Sequence, residues 1–182
     1  MTVDQYIEKV FDAAWKLEKS KGLPRLATIA QSALENGWGA SVPGNMYFGI
    51  KAGSTWTGRK QLLSTTEYIN GKYVQIKDWF RAYLNAAESF LDYGNFITTN
   101  KRYKPALGET DPKQYIAKIK AAGYATDPYY TQKVNTIIDK ISNNATYKRL
   151  NAERNSMKTI DILIIAAFIL LGVTVGYKII KG

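Results

Sequence analysis

Apolar side chains recur at Val3, Tyr6, Ile7, Val10, Phe11, Ala14 and Leu17, the spacing of one face of a helix. Thr2 and Gln5 precede and open that run in the pattern of a capping box, and Gly22 is suited to end it in the left-handed conformation. A second helix is predicted with Pro24 in its first turn and Leu26, Ile29, Ala30, Ala33 and Leu34 as its apolar positions. From Gly37 to Gly53 the periodicity stops. Five glycines and Pro43 read as a loop, and Trp38, Tyr47 and Phe48 inside it predict a packed loop.

The period becomes two in "LLSTTEYINGKYVQIKDW". Asn70-Gly71 between two β-prone runs predicts a hairpin with a two-residue turn. In that register Ile69 opposes Lys72, Tyr68 opposes Tyr73, Glu67 opposes Val74 and Thr65 opposes Ile76. Glu67 then shares the more apolar face with Ile69, Val74 and Ile76, an unusual place for a carboxylate. Beyond the hairpin, Arg81 to Phe96 reads as a helix, with Tyr83, Leu84, Ala87, Phe90 and Leu91 on one side. Asp111-Pro112 and Asp127-Pro128 each pair an N-cap with Pro at the first helical position, predicting helices over 112–121 and 128–141. The pattern is an α+β domain, predominantly helical, with one inserted hairpin.

The last stretch, "TIDILIIAAFILLGVTVGYKIIKG", has no charged side chain from Ile162 to Tyr177. Residues 160–180 would span roughly 30 Å as a helix, the thickness of a bilayer core. The pattern predicts a single-pass C-terminal anchor over 159–182, in contact with lipid through 160–180. The polar residues 142–158 would form a linker or helical stalk, and residues 1–141 the catalytic domain. No basic-then-apolar leader opens the chain.

Composition narrows the chemistry. There is no histidine and no cysteine among the 182 residues, which excludes imidazole and thiolate catalysis and the usual zinc ligand sets. No cofactor and no metal is expected. The net charge of +10 implies attraction to polyanions, but without the arginine-rich or aromatic-interleaved runs of nucleic-acid modules. No nucleic-acid partner is expected.

Hydrolysis of a glycosidic bond needs only carboxyl groups, one of them a general acid of raised pKa. Glu35 stands in the last turn of the second helix, before Gly37-Trp38-Gly39. Packing against Trp38 and the aromatic loop would desolvate it, and the helix's negative end would further disfavour its anion. Glu67 on the hairpin is placed to face it across a groove. The plain structural alternatives are an exposed last-turn residue for Glu35 and a lysine's cross-strand partner for Glu67.

"AQSALENGWG", "GNMYFGIK", "TTEY…VQIKDWFRAY" and "AGYATDPYY", in that order, resemble glycoside hydrolase family 73, the peptidoglycan-cleaving N-acetylglucosaminidases. The resemblance spans roughly residues 5 to 140 and implies a lysozyme-like fold of two lobes with a sugar-binding cleft between them. It implies Glu35 as general acid, Glu67 as base or stabiliser, and Tyr124 near the acid and the bound N-acetyl group. It also implies Phe48 as a cleft-wall aromatic. Met46 departs from an Asn-Asn-x-Phe run frequent in the family, whereas Asn45 remains. Trp38 and Tyr47 join Asn45 and Phe48 as candidate sugar contacts; for Trp38 and Phe48 a core position is the alternative, and Tyr124 could instead be a core or capping tyrosine. Tyr47 and Trp56 either stack on a sugar or close the lobe.

The expected reaction is cleavage of the β-1,4 bond between N-acetylglucosamine and N-acetylmuramic acid in a peptidoglycan glycan strand. The alternatives are a non-catalytic wall-binding module and a lysis protein acting through its C-terminal helix. A wall hydrolase with a tail anchor and no export signal suggests a bacteriophage enzyme in a virion's internal membrane, or alternatively a bacterial inner-membrane enzyme.

Overall fold

The structure is a computed structural model that describes residues 1–69 and 71–156. Helix α1 (Val3–Lys21) opens on the expected capping box. The Gln5 amide donates to Thr2 Oγ1 at 3.2 Å, and Gln5 Oε1 accepts from the Thr2 amide at 2.9 Å. Helix α2 (Arg25–Asn36) follows, with Pro24 as its N-cap, one residue outside the predicted first turn.

Helix α2 is enclosed on nearly every side: Ala27, Thr28, Ile29, Ala30, Gln31, Ser32 and Ala33 are all buried. It packs between α1 and helix α5 (Tyr130–Asn143). Its buried polar side chains therefore need internal partners; tyrosines supply those of Ser32, Asn36 and the Gln31 oxygen, and Thr28 donates to the Arg25 carbonyl. Tyr6 donates to Ser32 Oγ at 2.9 Å and accepts from Asn36 Nδ2 at 2.9 Å, while Tyr93 donates to Gln31 Oε1 at 2.6 Å.

Strands β1 (Lys60–Ile69) and β2 (Lys72–Arg81) form a two-stranded antiparallel sheet in the predicted register, Glu67 opposite Val74 and Thr65 opposite Ile76. Asn70 of the predicted turn lies outside the described residues. Ile69 and Val74 are exposed, so the face that Glu67 shares is not a core face at the hairpin tip. Burial begins toward the base, at Phe80. There the aromatic loop joins the sheet: the Arg81 amide donates to the Ile50 carbonyl at 2.9 Å, and Ala52 to Trp79 at 2.8 Å.

That attachment corrects the helix predicted from Arg81. Arg81 pairs with Lys60 as the end of β2, and helix α3 (Ala86–Thr99) starts after Asn85, whose side chain accepts from the Glu88 amide. Tyr83 and Leu84 accordingly precede α3, and Leu84 and Leu91 are exposed. A 3₁₀ segment over Lys101–Ala106 was not evident from the periodicity. Helix α4 (Pro112–Ala121) starts as predicted on Asp111, which accepts from the Gln114 amide at 2.8 Å. Helix α5 starts two residues later than predicted, because Asp127 caps a turn instead, accepting from the Tyr129 amide at 2.9 Å.

A helix over residues 145–156, α6, docks along α1. Tyr147 meets the Phe11 ring at 5.9 Å, Arg149 pairs with Glu8, and Arg154 pairs with Asp12 and covers Trp15. The segment expected as linker or stalk is thus helical here and held against the domain. The predicted anchor over 159–182 lies outside the described residues. Among the described residues, no helix is long and apolar enough to cross a membrane.

Gly94 on α3 sits where α1 crosses it, and a Cβ there would collide with Leu17. Gly94→Ala gains up to about 1 kcal/mol of helix propensity but overpacks a close crossing at about 1–3 kcal/mol. The expected outcome is a net loss of stability, read as a lower midpoint in urea unfolding.

Candidate active site

A cleft of about 930 Å³ runs between the helices and the hairpin. One wall carries Glu35, Gly37, Tyr124, Thr126 and Tyr130; Leu63, Thr65 and Glu67 of β1 line the other. That volume lies at the upper end of what small-molecule and saccharide sites occupy.

Glu35 owes its position to the way α2 ends. Asn36 and Gly37 reverse the chain: Gly37 is left-handed at φ 58°, and the Asn36 side chain accepts from the Gly39 amide at 2.7 Å. The reversal leaves Glu35 as the last side chain of α2 directed at the cleft rather than into the core. The loop backbone returns to it at Gly49, where φ is +58° and a Cβ would stand 3.4 Å from Glu35 Oε2. Glycine there satisfies the backbone conformation and keeps the carboxyl uncrowded.

The opposite oxygen, Oε1, accepts from the Tyr130 hydroxyl at 3.2 Å. Glu35 is exposed along the cleft but crowded by protein on its flanks. Burial pushes its pKa up from 4.5 to about 7; the Tyr130 hydrogen bond opposes the rise and the negative charge of Glu67 adds to it. Tyr130 keeps its own proton, raised first by burial and then by the charge of Glu35. A proton donor poised near neutrality is the property a general acid needs.

Glu67 is fixed from two sides. Its Oε1 pairs with Lys51 Nζ at 2.9 Å, and Lys51 also holds Asp78 at 2.9 Å. The partner is thus a lysine of the aromatic loop rather than one across the strand. From the helical wall, Thr126 Oγ1 donates to Glu67 Oε2 at 3.3 Å. The cleft thereby sets an acid on one wall against a carboxylate anchored on the other.

The remaining candidates divide. Tyr124 lines the cleft, with its ring 6.0 Å from that of Tyr130, and its hydroxyl donates to the Phe48 carbonyl at 2.8 Å. It positions the loop, and Tyr130 is the tyrosine that touches the acid. Phe48 borders the cleft, but its ring is buried and stacks on Tyr93 at 4.0 Å.

Trp38, Tyr47 and Asn45 lie outside the cleft lining. Trp38 packs edge-on to Tyr6 under Lys140. Tyr47 is a core residue against Phe90. Asn45 ties its loop to the carbonyls of Tyr83 and Leu84 at 3.1 and 3.0 Å. Trp56 closes the hairpin base, with Arg81 over its ring at 4.3 Å. Tyr130 was missed: "DPYY" signals a helix start, and of two adjacent tyrosines in a first turn one must face inward, but the sequence does not say which. Among the described residues no acidic cluster is placed to hold a metal ion.

Residues 11–143 match the family described as Mannosyl-glycoprotein endo-beta-N-acetylglucosaminidase. The peptidoglycan hydrolase FlgJ of Pseudomonas aeruginosa is 38% identical over 144 residues, covering 75% of this chain and 36% of the relative. The exo-glucosaminidase LytG of Bacillus subtilis is 33% identical over 153 residues, covering 80% of this chain and 52% of the relative. The chain therefore spans about a third to a half of these curated relatives. The crystal structure of a peptidoglycan hydrolase mutant from Sphingomonas sp. A1 superposes with a TM-score of 0.74 at 35% identity, covering 82% of this chain and 99% of that one.

Between pH 4.5 and about 7 the folded chain keeps the Glu35 proton that the unfolded chain has lost. The native state binds more protons there, so this group's contribution to stability falls as pH rises through the window. Glu35→Gln, permanently neutral, is expected to be more stable than the parent at pH 8, with the difference vanishing below pH 4. Urea unfolding at the two pH values checks it.

Proposed function

Because the chain belongs to the glucosaminidase family, a glycoside hydrolase of the endo-β-N-acetylglucosaminidase type, we propose that it cleaves the β-1,4 bond between N-acetylglucosamine and N-acetylmuramic acid in peptidoglycan. The observation that carries this reading is the Glu35 carboxyl, raised to about 7 on the wall of a saccharide-sized cleft. The names of the FlgJ and LytG relatives support the substrate and the sugar.

In the proposed reaction Glu35 gives its proton to the leaving glycosidic oxygen as the bond to the anomeric carbon breaks. Positive charge then develops on the sugar ring. Glu67, held by Lys51 and Thr126, faces that charge. Either Glu67 steadies the cation and takes the proton of the water that adds to the anomeric carbon, or the substrate's own acetamido oxygen steadies it and the incoming water returns a proton to Glu35. The hydrogen bond that Tyr130 donates to Glu35 strengthens as the carboxyl becomes an anion, because the phenol's donation favours the charged form. Tyr124 keeps the Phe48 backbone, and with it Gly49, at its distance from the acid.

The setting we propose is membrane attachment through residues 160–180, with the enzyme carried on the internal membrane of a phage virion or, alternatively, on a bacterial inner membrane. The uncharged run from Ile162 to Tyr177 supports it. Purified particles should retain the chain through high salt and release it into detergent. Its appearance in the salt wash overturns the anchor, and its absence from particles overturns the virion.

Glu35→Gln should lower the release of reducing ends from purified peptidoglycan by about 10² to 10⁴, while wall binding and the far-ultraviolet spectrum stay as in the parent. For the parent, kcat/KM should decline above about pH 7 as Glu35 loses its proton. Undiminished reducing-end release by Glu35→Gln would falsify the assignment.

A further inference from the structure

The charged residues lining the cleft are Glu35, Lys51, Glu67, Arg102, Asp127 and Lys133. Most cancel one another. Lys51 is shared between Glu67 and Asp78, and Lys133 pairs with Asp127 at 2.6 Å. Glu35 holds a proton until near neutrality. Arg102 makes no ion pair among the described residues, and it is exposed.

Its guanidinium is nevertheless held in place. It lies over the Tyr103 ring at 4.6 Å and 5.9 Å from the centre of Phe96. Beside it the backbone narrows at Gly123, where a Cβ would stand 3.9 Å from Arg102 Nη1. Aromatic stacking restricts the guanidinium while leaving its in-plane donors for a planar anion. The Tyr103 hydroxyl beside it is buried, and the Arg102 charge opposes the upward shift that burial gives that phenol.

The wall between Arg102 and the acid is continuous. Tyr103 meets Tyr124 with ring centres 6.3 Å apart, Tyr124 meets Tyr130 at 6.0 Å, and Tyr130 donates to Glu35. Tyr103 and Tyr130 are buried and brace the half-buried Tyr124, and Glu35, Tyr124, Gly123 and Arg102 line one cleft, so a glycan with its scissile bond at Glu35 would carry the substituent of a neighbouring sugar towards Arg102.

We infer that Arg102 is a specificity residue that binds a carboxylate borne on the muramic acid of the strand. This rests on the peptidoglycan reading above and deepens it. The neutral sugar backbone gives an unpaired cation nothing to recognise, whereas muramic acid carries carboxylates. They are those of its stem peptide or, where the peptide is absent, that of its lactyl group. A guanidinium accepts either through two parallel hydrogen bonds.

Three forms of soluble glycan strand test it: strands with stem peptides, strands stripped to the free lactyl carboxylate, and stripped strands with that carboxylate capped as a methylamide. The parent chain should cleave at least one charged form about five- to tenfold faster, in kcat/KM, than the capped form. In Arg102→Gln this preference should collapse towards unity, and Arg102→Lys should keep part of it. Preference for the peptide-bearing form alone assigns the peptide carboxylates, and preference for the stripped form assigns the lactyl group. A parent with no preference, or an Arg102→Gln variant that keeps the preference, overturns the inference and leaves the hydrolase reading standing. If the parent cleaves none of the three, the hydrolase reading fails and this one with it.

Discussion

The constraint on which the rest of this structure depends is the burial of helix α2. A helix enclosed by its neighbours cannot send polar side chains to water, yet α2 buries Gln31, Ser32 and Asn36 within two turns and opens to the cleft at Glu35. Leaving such groups unpaired would cost about 1–3 kcal/mol each. Three surrounding helices each lend a phenol: Tyr6 from α1 to Ser32 and Asn36, Tyr93 from α3 to Gln31, and Tyr130 from α5 to Glu35. A tyrosine suits this role because its ring fills core volume while its hydroxyl reaches a polar partner. The core is rich in tyrosine because its central helix is polar.

The same device that satisfies the helix prepares the acid. Glu35 differs from the other three in lying at the cleft, where its partner is a single phenol rather than a cation. A lysine or arginine in that place would hold the carboxyl ionised and end its use as a proton donor. Glu67, by contrast, has a lysine as partner. Two glutamates of identical chemistry thus stand in different electrostatic surroundings, set by their neighbours alone. The two cleft lysines are paired with Glu67, Asp78 and Asp127, and Glu35 makes no ion pair among the described residues.

Much of this was legible in the sequence where local rules suffice. The capping box at Thr2, the left-handed stop at Gly22, the Asp111 cap and the full hairpin register follow from spacing and turn chemistry. The misplaced start of α3 has a non-local cause. Arg81 to Leu84 has an acceptable helical pattern, but the aromatic loop competes for the same backbone: Arg81 bonds to Ile50 and Tyr83 to Gly44, at 2.9 and 2.7 Å. Partners some thirty to forty residues away are invisible to a local period. The candidate aromatics divided for a similar reason. Tyr47 and Phe48 are adjacent, and both rings enter the core because Phe90 and Tyr93 of α3 receive them, contacts that the loop's own sequence does not show.

The position of the acid also explains why the loop between α2 and the hairpin is long, glycine-rich and yet ordered. It must perform three tasks in sequence. Asn36 and Gly37 turn it away from α2 so that Glu35 faces the cleft; Gly49 brings its backbone near the carboxyl; Ile50 to Ala52 then bonds to β2 through a single bridge, Lys51 opposite Phe80. Lys51 sits within that last stretch, so the residue that fixes Glu67 follows by two positions the glycine that touches Glu35. The two carboxyls are therefore spaced by one short run of backbone, itself clamped by the Tyr124 hydroxyl on the Phe48 carbonyl. Chain reversal, close approach and strand pairing each restrict the residues allowed, and together they account for a loop whose sequence reads as neither helix nor strand. A substitution that slackens that clamp would alter the distance between acid and carboxylate without touching either one.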